Sequence, residues 1–234
     1  MSSQSPIKLT ADTALRLKRP KELLKIAYKP GAYPGEFSGD RTHGNFVLTG
    51  PFPKIRFRKR GAPNPNWRTY KLVRVHIHKP AEHLVEQDTP ANFEVHFLHV
   101  PKKGTVDDPK VVIAVLFSVA ENAPARAGLD AFARFLPSQQ QMHSYQTGEA
   151  CPHHEINPYD FFPIDSCSGA VDLVNWFSYE GSLTSYPYSE DVTWFVMKNQ
   201  SLISPADAEP LERHAEQDAR PLQPLDRRIV VRSF

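Results

Sequence analysis

The sequence contains few cysteines and no long apolar run. Only 2 of its 234 residues are cysteines, Cys151 and Cys167, and both lie in stretches with the composition of loops. This excludes a disulfide-rich scaffold; two free thiols are the simpler interpretation, and one disulfide is the alternative. No window approaches the roughly 18 consecutive apolar residues of a membrane span, and the first residues lack the apolar core of a signal peptide. We therefore expect a soluble, cytoplasmic protein that does not bind membranes.

Neither sign of charge dominates the chain. With 28 basic and 26 acidic residues the net charge is +2, which gives no reason to expect a nucleic-acid partner. One local run, from Lys54 to Arg60, alternates basic and apolar residues. At strand spacing Ile55 and Phe57 share one face, and Arg56 and Arg58 share the other. A solvated strand face is the favoured interpretation, and a polyanion site is the alternative.

The composition favours a single, mostly β domain. The chain has 22 proline residues, which favour many turns and few long helices. Its 14 phenylalanine, 8 tyrosine and 3 tryptophan residues supply the bulk for one sizeable core. We predict one domain over residues 1–234, in which residues 1–45 form a mostly irregular lead-in packed on the body.

Hydrophobic patterns predict six strands and two helices. The strands are expected over residues 45–48, 55–59, 70–78, 93–100, 111–119 and 192–197. The almost unbroken apolar run from Val111 to Val119 is typical of a central strand buried on both faces. Leu129 to Leu136 has the spacing of a short helix, and Ser204 followed by Pro205 is typical of a helix start. Residues 138–170 are weakly patterned and predicted as loop.

Two histidine motifs form the candidate chemical centre. Side chains alternate along a strand, so His76 and His78 point to one face while Val75 and Ile77, together with Val73, are expected to point to the core. The next strand contains His96. If the two strands are neighbours, three imidazoles converge and leave one coordination position open, which is the pattern of a catalytic zinc site.

Other histidine patterns are weaker. His99 falls on the opposite face from His96, and the adjacent pair His153 and His154 lies in the predicted loop, where a solvent-facing role is the usual one. The spacing His76-x-His78 followed by Glu82 also fits the first metal motif of cupin-type oxygenases. That reading leaves His96 unexplained.

Six segments in order resemble the α-class carbonic anhydrase family, and together they extend over almost the whole chain. The opening Gln4–Ile7 and the strand Tyr70–Leu72 leading into His76-Ile77-His78 are similar to that family's opening and first metal strand. Glu94–His99 is similar to its second metal strand. The remaining similarities are Tyr179–Thr184, Val192–Trp194 and Arg220–Leu225.

The resemblance implies a zinc ion bound by His76, His78 and His96. Zinc lowers the pKa of its water to about 7, so zinc-bound hydroxide would act as the nucleophile. It also implies that Thr184 accepts a hydrogen bond from the hydroxide and donates its own to Glu82. On one alignment His43 matches the family's proton shuttle, although here a glycine follows it instead of preceding it.

The resemblance also implies how the substrate and a ligand are held. Carbon dioxide is small and apolar, so its binding place should be an apolar wall beside the metal. The implied substrate-binding residues are Leu98, Val112, Leu183, Ser185, Val192 and Trp194. Glu94 is implied to accept the second N–H of His96, which would fix the tautomer of that imidazole.

Several positions depart from the family's pattern. Arg74 stands two residues before the first ligand, where the family usually has a neutral acceptor, and a guanidinium can only donate. Lys79 replaces the tryptophan that normally follows the second ligand. Tyr186 and Tyr188 interrupt a Thr-Pro-Pro-Cys run, so a cysteine of the secreted members is missing. These changes could slow turnover or narrow the site without removing the metal.

The implied fold is a large twisted, mainly antiparallel central sheet with short peripheral helices. The implied function is zinc-dependent reversible hydration of carbon dioxide to bicarbonate and a proton, with sulfonamide-type inhibitors as expected ligands. The alternative is a binding module of the same fold with little or no catalysis, which would bind a partner or a polyanion at the Arg56–Arg60 face.

Overall fold

The computed structural model describes residues 2–39, 44–59, 66–123, 127–147, 149–215 and 219–234. His43, Arg60 and most of the turn predicted at residues 61–66 lie outside the described residues. The strands in chain order are β1 (Lys8–Leu9), β2 (Leu15–Arg16), β3 (Leu24–Ile26), β4 (Tyr33–Gly39), β5 (Gly44–Leu48), β6 (Lys54–Phe57), β7 (Arg68–His78), β8 (Leu84–Val85), β9 (Phe93–Pro101), β10 (Lys110–Val119), β11 (His153–Ile156), β12 (Trp176–Gly181), β13 (Val192–Met197), β14 (Ser201–Ile203) and β15 (Val231–Arg232). The helices are α1 (Ala127–Phe135), α2 (Gln139–Gln146) and α3 (Pro205–His214).

Thirteen of these strands form one large twisted sheet. Its main path runs β11-β4-β5-β7-β9-β10-β13-β12-β15-β2, while β3 and β6 branch from β7 and β14 pairs with β10. Most neighbours are antiparallel, but β10 runs parallel to β13 and to β14, and β15 runs parallel to β2. The sheet is therefore mixed. The predicted fold class, one mostly β domain with a large twisted sheet, is confirmed.

Strand β10 lies at the centre of the sheet, as its apolar run predicts. Val111, Ile113 and the following odd-numbered residues belong to one buried cluster. Val112, Ala114 and Leu116 belong to a second cluster on the opposite face. Both faces of the sheet are thus covered, and the second cluster lies on the face that carries the histidines.

Strand β7 departs from the predicted alternation because it contains a β-bulge. The register with β9 shifts between Leu72 and Arg74, which inserts one extra residue into β7. As a result Leu72 is fully buried in the same cluster as Val75 and Ile77, while Val73 is only half-buried and packs on the other face. The prediction that Val73 faces the core with Val75 and Ile77 is wrong. The predicted direction of His76 and His78 is right, because they follow the bulge.

Two segments predicted as irregular contain regular structure. Within the lead-in, β4 pairs with both β5 and β11, so this segment is part of the main sheet. Within residues 138–170, Ser138 caps α2, and its side chain and that of Gln141 form a reciprocal capping box. His153 and His154 lie in β11 and not in a loop. Polar strands and helices of this kind give little periodic signal in the sequence.

The predicted helices and the two cysteines agree with the structure. Helix α1 buries Leu129, Phe132 and Ala133. The hydroxyl of Ser204 accepts the N–H of Asp207 at the start of α3. Both cysteine thiols are free. Among the described residues, no helix is long and apolar enough to cross a bilayer.

Candidate metal centre

Strands β7 and β9 bring the three histidines together. The two strands are antiparallel neighbours, and their register sets His76 directly opposite His96 and His78 directly opposite Glu94. Because alternate residues share a face, all four side chains point to the same side of the sheet. The ring centroids of the three imidazoles are 4.6 to 5.0 Å apart.

The spacing of the nitrogens fits a tetrahedral zinc ion. One ligand nitrogen from each histidine lies within 4.8 Å of the others. Nδ1 of His96 is 3.3 Å from Nε2 of His76. Two nitrogens each about 2.05 Å from a tetrahedral zinc ion are about 3.3 Å apart. The donor set and this distance therefore fit zinc, with one position left for a small ligand.

Glu94 fixes the tautomer of His96. Its Oε1 lies 2.8 Å from Nε2 of His96, so that nitrogen donates its hydrogen to the carboxylate and Nδ1 presents its lone pair to the metal position. Burial would raise the pKa of Glu94, but the charges and hydrogen bonds of His83 and His96 hold the pKa well below its usual value. Glu94 thus remains an acceptor in a fully buried position.

His83 is a buried member of this centre that the sequence analysis did not single out. Its Nδ1 lies 2.6 Å from Oε1 of Glu94, and its Nε2 lies 2.7 Å from the hydroxyl of Tyr179. That hydroxyl is in turn 2.9 Å from Oγ of Ser5. His83, Glu94 and His96 also form a group with metal-ligand spacing, but their nitrogens and carboxylate already bond to one another. The sequence does contain a signal for His83, because this histidine directly follows Glu82, which is itself a candidate site residue.

Glu82 lies beside the histidines, and one of its carboxylate oxygens is unsatisfied. Its Oε1 accepts the backbone N–H of Arg220 at 3.0 Å. Its Oε2 is buried, has no hydrogen-bond partner among the described residues, and lies 3.6 Å from Nε2 of His78. Thr184 is also buried, but no hydrogen bond joins its hydroxyl to Glu82 in this structure. The predicted bond between the two residues is therefore not formed in this structure.

A cavity of about 580 Å³ opens onto His76 and His96. Its wall includes most of the predicted substrate-binding residues, namely Leu98, Val112, Leu183, Ser185 and Trp194, as well as Thr184. Val192 is fully buried behind this wall and does not line the cavity. His78 is likewise buried and does not line the cavity. The wall beside the histidines is therefore largely apolar.

The cavity is also lined by charged residues that the sequence analysis did not single out, Lys110 and Asp191. Lys110 is only 5% exposed and donates to Oδ2 of Asp191 at 2.8 Å and to the carbonyl of Asp108 at 3.0 Å. This ion pair joins the two chain segments that flank the cavity. Arg74, which the sequence analysis noted as a departure from the family's pattern, lines the same cavity as His76. Lys110 was missed because it precedes an apolar run and looks like a strand end.

The chain matches the sequence model of a known protein family. A family model described as eukaryotic-type carbonic anhydrase matches residues 1–234. The chain belongs to the eukaryotic-type carbonic anhydrase family. The resemblance stated from the sequence motifs is thus confirmed.

Individual relatives agree with this assignment at low identity. The chain is 26% identical over 230 residues to a carbonic anhydrase of Neisseria gonorrhoeae, which covers 98% of this chain and 77% of that protein. It shares its fold with an α-carbonic anhydrase from Thermovibrio ammonificans solved with the inhibitor sulfanilamide. The TM-score is 0.72 at 24% identity, and the match covers 98% of this chain and 86% of the other.

Family membership does not by itself fix the activity. The chain is also 27% identical over 165 residues to dioscorin DB3L of Dioscorea polystachya, which covers 69% of this chain and 54% of that protein. The chain is thus also similar in sequence to a protein that is not named a carbonic anhydrase. The chemistry of this member has to be argued from its own residues.

His99 lies on the same strand as His96, three residues further on, so its side chain points to the opposite face of the sheet. It points away from the metal centre into the core, where Nδ1 donates to the carbonyl of Val111 at 3.1 Å and Nε2 accepts from the hydroxyl of Tyr28 at 2.8 Å. Burial lowers the pKa of His99 to about 3, against the opposing effect of the carbonyl bonds. The predicted orientation of His99 is correct, and its role is structural.

The lowered pKa of His99 predicts a loss of stability in mild acid. The unfolded chain binds a proton at His99 below about pH 6.5, whereas the folded chain does so only near pH 3. The stabilisation by neutral His99 is fully present above about pH 6.5. As the pH drops from there towards 3, the free energy of unfolding falls by up to ~1.4 kcal/mol per pH unit. Urea unfolding at about pH 7 and about pH 5 should show a steeper loss in the unaltered protein than in His99→Gln. Equal losses would contradict the prediction.

Proposed function

We propose that this protein catalyses the zinc-dependent reversible hydration of carbon dioxide to bicarbonate and a proton. The observation that carries the proposal is the convergence of three imidazoles, with one nitrogen pair at the 3.3 Å spacing of tetrahedral zinc ligands, beside a cavity with an apolar wall. Family membership supports the same reaction class.

His76, His78 and His96 are the residues that would hold the zinc ion. The chemistry that zinc supplies in a site with three neutral nitrogens is a water whose pKa is lowered to about 7. Glu94 keeps the hydrogen of His96 on Nε2 and so holds the Nδ1 lone pair ready for the metal. Arg74 cannot accept a hydrogen bond from His76 as a neutral acceptor would, which is the main departure within the ligand set.

Thr184 and Glu82 are proposed to orient the attacking oxygen. Thr184 lies in the cavity wall, where its hydroxyl can accept a hydrogen from a water or hydroxide near the histidines. The hydroxyl then needs an acceptor for its own hydrogen. Oε2 of Glu82 is buried and has no partner among the described residues, so it is available for that hydrogen.

The apolar wall is proposed to hold carbon dioxide. Leu98 and Val112 are cross-strand partners, and Trp194 pairs with Val112 from the other side, so the three form a continuous surface. Such a surface has no donors or acceptors to hold water strongly, and a small apolar molecule can replace that water at little cost. His43 remains the predicted proton shuttle.

The experiment that tests this function is elemental analysis for zinc combined with stopped-flow hydration on one purified sample, with and without benzenesulfonamide. We expect about one zinc per chain, measurable hydration and inhibition by the sulfonamide. Zinc without hydration would assign the loss of activity to the departures at Arg74 and Lys79. A protein that binds no zinc would overturn the proposal in favour of a binding module.

A further inference from the structure

We infer that this chain carries a second binding surface, a basic face for a linear sulfated polysaccharide on the outer side of strands β3, β6 and β7. The basic face consists of Lys25, Lys54, Arg56 and Lys71, with Trp67 beside them. It uses none of the residues of the metal centre. The inference is therefore independent of the proposed function.

The strand registers set like charges directly opposite one another on this face. Lys25 on β3 is the partner of Arg56 on β6, and Lys54 on β6 is the partner of Lys71 on β7. Lys25, Lys54 and Arg56 are exposed and Lys71 is half-buried, whereas Ile55 and Phe57 between them are buried. Paired strands are about 4.8 Å apart and alternate residues on one strand about 6.7 Å apart, so the four positions form a compact stepped array across the three strands.

These cations have no acidic partners in the part of the chain that the structure describes. No carboxylate of a described residue lies within 4.0 Å of any of the four. Like charges directly opposite on neighbouring strands are destabilising. A chain with 26 acidic residues and a net charge of only +2 nevertheless places four unneutralised cations together here. A bound polyanion would supply the missing negative charge.

Aromatic rings keep the cations in place instead of letting them spread into solvent. Nζ of Lys25 and the guanidinium of Arg56 both lie over the ring of Trp67, at 4.8 and 5.4 Å from its centroid. Nζ of Lys71 lies 5.2 Å from the ring centroid of Phe52. Cation–π contacts of this kind hold long side chains in one position. The face is thus pre-organised, which reduces the entropy lost when a polyanion binds.

The same observations select the kind of polyanion. Single-stranded nucleic acid is bound through open aromatic faces on which bases stack, and here Lys25 and Arg56 already lie against the Trp67 ring and would compete with a base. A membrane-binding face combines basic residues with exposed large apolar ones, and the exposed large apolar residues of the described chain lie elsewhere. A linear polysaccharide with regularly spaced sulfates needs only a flat array of cations. The geometry therefore favours the polysaccharide.

The test is the affinity of a size-defined heparin oligosaccharide, measured by titration calorimetry at several salt concentrations. We expect binding whose affinity falls steeply with salt and which Lys54→Glu combined with Arg56→Glu weakens at least about tenfold, with a salt slope lower by about 1 to 2. The matched control combines Arg134→Glu with Arg213→Glu, which alters the net charge equally at two exposed positions on helices α1 and α3. It should bind as the unaltered protein does.

Three results would overturn the inference. These are no binding at physiological salt, equal weakening in the control pair, or tighter binding to a single-stranded oligonucleotide or to anionic lipid vesicles than to the oligosaccharide. Circular dichroism shows whether the variants are folded. Zinc content should be the same in both pairs of variants, so failure of this inference is distinguishable from failure of the proposed function.

Discussion

Replacement of His96 by alanine is expected to abolish zinc retention. His96 supplies one of the three converging nitrogens, and its removal leaves two histidines and takes away one of the two imidazole hydrogen bonds that Glu94 accepts. Two neutral imidazoles hold zinc far more weakly than three, so the variant should lose the metal during purification and with it any hydration activity. Elemental analysis of the purified variant measures the effect directly.

The control for His96 has to respect the burial of His99. His99 is fully buried and bonds to Tyr28 and Val111, so an alanine there would damage the core for reasons unrelated to metal. His99→Gln keeps a donor and an acceptor and should retain about one zinc per chain. Retention of zinc by His96→Ala, or its loss from a folded His99→Gln, would mean that the parity of β9 is assigned incorrectly.

Replacement of Thr184 by alanine should have the second-largest effect, and on a different measurement. The zinc content should be unchanged, because Thr184 contacts the attacking oxygen and not the metal in the proposed function. The rate of carbon dioxide hydration should fall by roughly two orders of magnitude, as expected for the loss of one positioned hydrogen bond in the transition state. Stopped-flow kinetics on the zinc-loaded variant measures this.

A conservative substitution of Thr184 distinguishes a role of its hydroxyl in orienting the attacking oxygen from a role of its methyl group in packing. Thr184→Ser keeps the hydroxyl and loses only a methyl group, so it should retain most of the activity. If Thr184→Ala is fully active, the proposed bond to Glu82 has no catalytic role. If serine and alanine reduce the rate equally, the methyl group rather than the hydroxyl is what the site requires.

The sequence by itself determined which histidine side chains share a face at the centre of this protein. Alternation along a strand has a period of two, so the directions of His76, His78, His96 and His99 follow from local geometry alone. The unbroken apolar run of β10 determined its central place for the same reason: only a strand buried on both faces can be apolar at every position. The six ordered motifs determined the family.

Only the tertiary structure decided which residues complete the site. The bulge in β7 reverses the parity of Val73 and Leu72, and a bulge depends on the partner strand rather than on the local pattern. His83 bonds to Glu94 and Tyr179, and Lys110 pairs with Asp191 in the cavity wall, so these contacts join positions far apart in the chain. The burial of Val192 behind the wall likewise depends on how whole strands pack. Polar partners leave no periodic signal, because their positions are set by packing of whole strands and not by their neighbours in sequence.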